Sequence, residues 1–278
     1  MNTEHFPIPF IKMSGAGNDF ILIDNRHPVI VPEAMSALAA AVCRRKFSVG
    51  ADGLILIEPS EQADFRWQFF NADGSTAEMC GNGARCAARF AFMQGIAPKK
   101  MRFETLAGII EAEISGSEVA VKMTEPVNLH LHQTIEVNNA PLELHSINTG
   151  VPHAVFFVDD IEETDVCGLG RAIRQHQAFA PAGTNVNFVQ QRGSAFKVRT
   201  YERGVEDETL ACGTGAAASA IIAALLGQTA PPVEIITSGG DRLSIAFTLG
   251  NSSQIDNVSL QGPARMIYAG ELTEEALL

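Results

Sequence analysis

The chain contains no Cys-x-x-Cys pair, no surplus of basic residues and no long uninterrupted apolar run. Each absence removes a class of function. Without closely paired cysteines, zinc-ribbon and thioredoxin-like readings lose their usual support, and five cysteines, an odd number, do not make a disulfide framework. With 20 Lys and Arg against 32 Asp and Glu, the net charge is −12. A protein of that charge repels a phosphate backbone, which argues against nucleic acid as a partner. No apolar stretch reaches membrane-spanning length without polar interruption, and residues 1–13 lack a basic segment followed by an apolar one. The expected location is the cytoplasm, with no membrane partner. Gly15-Ala16-Gly17 lacks the third glycine and the following helix of a dinucleotide fingerprint, so it is not evidence for a nucleotide.

Against these absences stands a short device that occurs twice. Cys80-Gly81-Asn82-Gly83 and Cys212-Gly213-Thr214-Gly215 each open an apolar, alanine-rich run that reads as a helix. The first backbone N–H groups of a helix lack intrahelical partners, and its dipole favours negative charge there. At about 2 kcal/mol in a partly buried setting, that effect brings a thiol from about 8.5 to near 7. Glycines beside the cysteine let a ligand carboxylate come close to the same amides. A buried cysteine beside a glycine turn would explain either motif alone. Two with such similar flanks suggest two thiols serving one site.

With 278 residues, 46% of them hydrophobic and 19% charged, the chain reads as globular and long enough for two cores. Strands are expected at Phe10–Met13 and Phe20–Asp24, joined as a hairpin, followed by a helix from Pro32 to Cys43. Strands at Leu54–Glu58 and Phe65–Phe70 then lead through the turn Asn71–Ser75 to Cys80 and a helix ending near Gly95, and further strands lie within residues 100–123. After a crossover at Glu125-Pro126 a similar order recurs: strands near 146–149 and 153–158, a helix at 168–177, strands at 186–189 and 195–200, then Cys212, its helix, and strands at 233–237, 243–248 and 258–260.

The expected fold is α+β, with two pseudo-symmetric domains, each a mixed or antiparallel sheet wrapped around a central helix. Residues 1–125 form the domain carrying Cys80, residues 126–262 the one carrying Cys212, and residues 263–278 return to the first. A cleft between the domains would set the thiols opposite each other. Cys43, Cys86 and Cys167 are expected as small core residues.

Inverting a carbon centre requires a base on one face and an acid on the other, and a thiolate opposite a thiol supplies that pair. Taking the α-proton from an amino acid builds negative charge on its carboxylate, which backbone N–H groups at the helix starts can hold. No electron-sink cofactor is then strictly required. Glu202-Arg203 offers a carboxylate for an ammonium and a guanidinium for a carboxylate, although a solvated surface pair would look the same. Asn18, Asn71 and Asn185 fall in expected turns, where asparagine is common for backbone reasons alone. His153, after Pro152 at a strand entry, is either a tuner of a nearby thiol or a satisfied core histidine.

With these residues in view, the chain closely resembles the diaminopimelate epimerase family, essentially end to end. The motifs are Gly15-Ala16-Gly17-Asn18-Asp19-Phe20, Gly50-Ala51-Asp52-Gly53, Asn71-Ala72-Asp73-Gly74-Ser75, Met79-Cys80-Gly81-Asn82-Gly83-Ala84-Arg85, Asn185-Val186-Asn187-Phe188, Tyr201-Glu202-Arg203-Gly204 and Ala211-Cys212-Gly213-Thr214-Gly215. The resemblance implies an isomerase without pyridoxal phosphate, other cofactor or metal that interconverts LL- and meso-diaminopimelate for lysine and peptidoglycan precursors. It implies that Cys80 and Cys212 are the acid/bases, and that Gly81, Asn82, Gly213 and Thr214 bind substrate. Asn18, Asn71, Asn185, Glu202 and Arg203 match further substrate positions. His153 and Glu202 match residues that adjust the thiols, and Tyr268 matches one linked to a homodimer.

Three departures stand out. Gly53 occupies a position where some members carry a substrate-contacting glutamine, Val151 replaces the asparagine of Gly-Asn-Pro-His, and one more residue than usual separates Glu202-Arg203 from Cys212. Proline racemases and hydroxyproline epimerases, the nearest rival, typically show Cys-Gly-His and Ser-Pro-Cys-Gly-Thr-Gly where this chain has Cys80-Gly81-Asn82 and Leu210-Ala211-Cys212. A non-catalytic amino-acid-binding or thiol-sensing protein would need the anion cradles but no exchangeable α-proton.

Overall fold

The computed structural model describes residues 6–250 and 254–278. It divides into two compact units, Met1–Val121 with Pro263–Leu278, and Lys122–Gly262. The first contains β1 (Ile8–Gly15), β2 (Asn18–Asp24), α1 (Pro32–Val42), β3 (Gly53–Glu58), β4 (Phe65–Asn71), α2 (Gly81–Met93), β5 (Lys100–Thr105), β6 (Gly108–Ser115), β7 (Glu118–Lys122) and, from the end of the chain, β17 (Arg265–Leu272). Its strands pair in the order β17-β1-β2-β3-β4-β5-β6-β7, with β2–β3 and β4–β5 parallel and the other pairs antiparallel.

Strands β2 and β3 are apolar at every central position, the pattern of a sheet covered on both faces. Alternation sorts the side chains. Phe20, Leu22, Ile55 and Ile57 pack into one core with α2, whereas Ile21, Ile23, Leu54 and Leu56 pack into a second with α1. Helix α2 is buried on nearly every side, and its small residues let it lie against β1, β2, β3 and β6. Phe65 and Phe103 stack at 4.8 Å beneath it, with Trp67 against Phe103.

The second unit contains β8 (Val127–Val137), β9 (Ala140–Asn148), β10 (Pro152–Phe157), α3 (Val166–Arg174), β11 (Asn185–Arg192), β12 (Ala195–Glu202), β13 (Asp207–Thr209), α4 (Gly213–Leu225), β14 (Val233–Ile236), β15 (Arg242–Leu249) and β16 (Ile255–Pro263). Its strands run β8-β9-β10-β11-β12-β14-β15-β16, with β10–β11 and β12–β14 parallel. Step for step this is the order and sense of the first unit, with β8 in the place that β17 takes there. Helix α4 is apolar all round and buried from Gly215 to Ala224, while α3 covers Ala154, Val186, Phe188 and Tyr201 on the other face.

Two features differ from expectation. The long β8–β9 hairpin was expected only as a short strand near residue 146. Its turn is Asn138-Asn139, both left-handed with φ of 53° and 63°, which asparagine tolerates and a two-residue hairpin requires. Cys167 is not a core residue. It lies exposed on the solvent side of α3, a strongly amphipathic helix, and its thiol donates to Asp207 Oδ1 at 3.1 Å. Cys43 and Cys86 are buried as expected, and burial pushes both thiols up to about 12.

Gly15 sets how closely β1 approaches the start of α2. A Cβ there would lie 2.7 Å from the Asn82 carbonyl oxygen and 3.1 Å from Cys86 Sγ. Gly15→Ala should therefore lower the free energy of unfolding by about 1–3 kcal/mol in urea titrations, the usual cost of overpacking.

Candidate active site

In the first unit Cys80 is the N-cap of α2. Its backbone is extended (φ −145°, ψ 118°), and its Sγ accepts from the Gly83 N–H at 3.5 Å. The chain reaches it from β4 through the turn at Asn71–Ser75, where Asp73 Oδ1 accepts from both the backbone and hydroxyl of Ser75. A Cβ at Gly81 would meet nothing within 4 Å, so the approach to the first amides of the helix is open.

A polar chain runs away from this helix start. Buried Asn82 donates to Asn18 Oδ1 at 2.7 Å, and Asn18 in turn donates to Asp52 at 3.0 Å. Asp52 and Asp19 share Arg45, at 2.9 and 2.6 Å, and Asp19 also pairs with Lys12 at 2.8 Å. Burial alone would raise Asp19, but the hydrogen bonds and charges of Arg45 and Lys12 hold its carboxyl below the usual range. From below, the fully buried Arg85 donates to Asn82 Oδ1 at 2.8 Å. Asn82 is thus gripped on both sides. Asn71, at the end of β4, is exposed and donates to Ser75 Oγ at 3.0 Å.

In the second unit Cys212 is the N-cap of α4 (φ −122°, ψ 108°), with Sγ 3.5 Å from the Thr214 hydroxyl. The Thr214 carbonyl accepts from the buried Thr149 hydroxyl at 2.9 Å, which ties the first turn of α4 to the end of β9. A Cβ at Gly213 would meet Leu260 at 3.1 Å. Asn185 is buried and braces backbone: it donates to the Pro152 carbonyl at 3.1 Å and accepts from the Arg203 N–H at 2.8 Å. The Arg203 guanidinium reaches the Ala182 carbonyl at 3.3 Å. Burial raises Glu202, opposed by the Thr209 hydroxyl. After Glu202-Arg203 a turn at Gly204–Glu206 folds β13 back onto β12.

His153 is wholly buried at the start of β10, and Nδ1 is 3.1 Å from Asn187 Nδ2. Burial, with a smaller contribution from the Arg203 charge, pushes it down to about 3. At neutral pH it is therefore an uncharged imidazole, and it influences its surroundings as a dipole. Asn187, part of the Asn185-Val186-Asn187-Phe188 motif but without an expected role, sits at the centre of this arrangement. The available signal was a polar residue alternating with Val186 and Phe188 in a strand buried on both faces.

A Cβ at Gly53 would lie 2.6 Å from the Phe70 carbonyl oxygen and 2.7 Å from the Phe69 ring, so no side chain fits there without displacing β4. Val151 lies in the Gly150–Pro152 turn between β9 and β10, half-buried. Tyr268 is exposed on β17, edge-on to Phe10 at 5.9 Å. Elsewhere, His132, Glu143 and His145 gather on the β8–β9 hairpin, but His145 Nδ1 already accepts from the His132 N–H and His132 Nδ1 faces Glu143.

A family model described as diaminopimelate epimerase matches residues 10–129 and 145–267. A diaminopimelate epimerase of Hydrogenobaculum sp. is 49% identical over 280 residues, covering 95% of this chain and 98% of the relative. One from Aquifex aeolicus is 47% identical, covering 96% and 99%. Among solved structures, a phenazine biosynthesis protein of the PhzF family from Bacillus anthracis superposes with a TM-score of 0.74 at 16% identity, covering 95% of this chain and 98% of that one. A probable proline racemase from Agrobacterium radiobacter gives 0.70 at 15%, covering 96% and 93%. These last two share the fold.

The depressed His153 has a measurable consequence. Its folded-state value of about 3 lies below the ordinary 6.5, so on acidification the unfolded chain takes up the proton first. The associated stability is complete above pH 6.5 and is lost as pH falls toward 3, by at most about 1.4 kcal/mol per pH unit. Urea unfolding between pH 6.5 and 5 should show a steeper loss in the wild type than in His153→Gln, by up to one proton. Equal slopes would contradict the burial of a neutral imidazole.

Proposed function

The chain belongs to the diaminopimelate epimerase family, and from that premise we propose how its two cysteines divide the reaction. The activity is that of the family: an isomerase of lysine biosynthesis that interconverts LL- and meso-diaminopimelate. In our reading Cys80 and Cys212 serve one α-carbon, the thiolate of one removing the proton from one face while the thiol of the other returns a proton to the opposite face. The roles exchange in the reverse direction.

The observation that carries this reading is the duplication. Each unit, folded in the same strand order, ends a loop with a cysteine as N-cap of its most buried helix. Gly81 and Asn82, and Gly213 and Thr214, contribute helix-start N–H groups outside the intrahelical ladder, where they can hold the enediolate-like charge of the reacting carboxylate. A donor so used contributes about 2.7–4 kcal/mol to the transition state. Asn18, Asn71, Asn185, Glu202 and Arg203 hold the remainder of the substrate, with Arg203 suited to a carboxylate and Glu202 to an ammonium. The pair of charges fits a substrate with a second charged end, which proline lacks.

The same reading makes the enzyme a cytoplasmic homodimer that works without a bound cofactor. Support for the dimer is the exposed run of Met266, Ile267 and Tyr268 on β17, at 42%, 53% and 44% exposure.

Cys80→Ala and Cys212→Ala should each lower turnover of LL-diaminopimelate to the meso form by about 10²–10⁴-fold, with circular dichroism and unfolding midpoints unchanged. Chiral chromatography of the product reads the result, with proline as a control substrate. Turnover retained in either variant would reject the paired assignment, and turnover of proline instead would move the chain to the racemase reading.

A further inference from the structure

Below the Cys212 helix lies a small, fully enclosed polar network that joins His153 to Asn187 and Thr200, two residues with no assigned role. Asn187 on β11 is completely buried, as are His153 on β10 and, to within 3%, Thr200 on β12. Asn187 Nδ2 carries two protons. One goes to the Ala154 carbonyl at 3.0 Å and the other faces His153 Nδ1 at 3.1 Å, while Asn187 Oδ1 accepts from the Thr200 hydroxyl at 2.9 Å. The carboxamide has only this orientation, because turning it over would set Oδ1 3.0 Å from the Ala154 carbonyl, two acceptors with no proton between them.

Two consequences follow. First, His153 Nδ1 must accept, so the proton of the neutral ring sits on Nε2, which is buried and has no hydrogen-bond partner among the described residues. Second, the same carboxamide supports the helix start. A Cβ at Gly215 would lie 2.2 Å from Asn187 Oδ1 and 3.3 Å from Cys212 Sγ, so only a glycine lets the first turn of α4 rest on Asn187. The carboxamide that selects the His153 tautomer is also the floor under the turn that aims the thiol.

We propose that Asn187, backed by Thr200, is a positioning residue for the epimerase reaction: it fixes His153 as the Nε2–H tautomer and seats the first turn of the Cys212 helix. The proposal rests on the assignment of Cys212 to the acid/base pair. A group held in this way touches neither substrate nor reacting atoms, and its influence passes through the orientation of the Cys212 cap. Misplacing a reacting group by about 1 Å costs on the order of 10²-fold in rate, which sets the scale of the effect.

The test uses the full-length protein labelled with ¹⁵N-histidine. Long-range ¹H–¹⁵N correlation at pH 7 should show His153 protonated on Nε2 alone in the wild type. In Asn187→Asp the acceptor carboxylate should draw a proton onto Nδ1, and in Asn187→Ala, which buries no charge, Nδ1–H should become populated because its donor is gone. Both should lower kcat by about 10- to 100-fold with KM changed less than about twofold. A sole Nε2–H resonance in both variants would overturn the tautomer assignment. A shifted tautomer with kcat unchanged, or a fall in kcat without a tautomer shift, would overturn the positioning role. A wild type that shows the Nε2–H tautomer but loses no turnover in Cys212→Ala would instead locate the failure in the cysteine assignment.

Discussion

Both cysteines are placed by one constraint: a helix built from small residues can be stable only if sheet surrounds it. Helix α4 is mostly alanine and glycine and α2 sets alanines and glycines around the buried Arg85 and Phe90, so the stability of both comes from close approach of apolar strands on several sides. Such a helix has few places where it meets solvent, and its N-terminus is one of them. A cysteine at that point gains unpaired N–H groups and the positive end of the dipole, while the glycines that follow keep the amides accessible and let the turn sit close on its support. The position of the thiol thus follows from packing rather than from any contact of the thiol itself.

The two units reach the same end with different polar supports. Under α2, Asn82 is held between Asn18 and the buried Arg85, and a chain of charges runs beyond it through Asp52, Arg45, Asp19 and Lys12. Under α4, no ion pair among the described residues performs this task. A neutral set of Asn187, Thr200 and His153 takes its place, fully satisfied except for the His153 Nε2–H. The two cysteine-bearing helix starts are thus set in unequal surroundings, one joined through Asn82 and Asn18 to a chain of ion pairs and the other backed by neutral dipoles.

What was legible in the sequence was whatever had a local signature. The Cys-Gly motifs, the alanine-rich helices and the uninterrupted apolar strands each declare themselves within a few residues, and so did the repetition of element order. What was not legible depended on partners distant in the chain. Asn187 looks like any strand residue until β10 and β12 bring His153 and Thr200 to it. The β8–β9 hairpin was missed because Asn-Asn is a weaker turn signal than Asn-Gly and because its outer strand alternates with polar residues that resemble loop. Cys167 was misjudged because composition alone cannot say which face of a short helix a residue occupies. Gly53 was read as a missing contact. In the structure its place is filled by the Phe70 carbonyl and the Phe69 ring.

The central claim, that two different thiols work on one α-carbon, is tested most directly by following LL-diaminopimelate in deuterium oxide at early conversion, with reduced protein and no added cofactor. The account predicts meso product deuterated at the inverted α-carbon while the remaining LL substrate is still protiated, because the proton delivered comes from a second, solvent-equilibrated thiol. Meso product that retains the original α-proton, or deuterium that enters recovered substrate as fast as product, would contradict it.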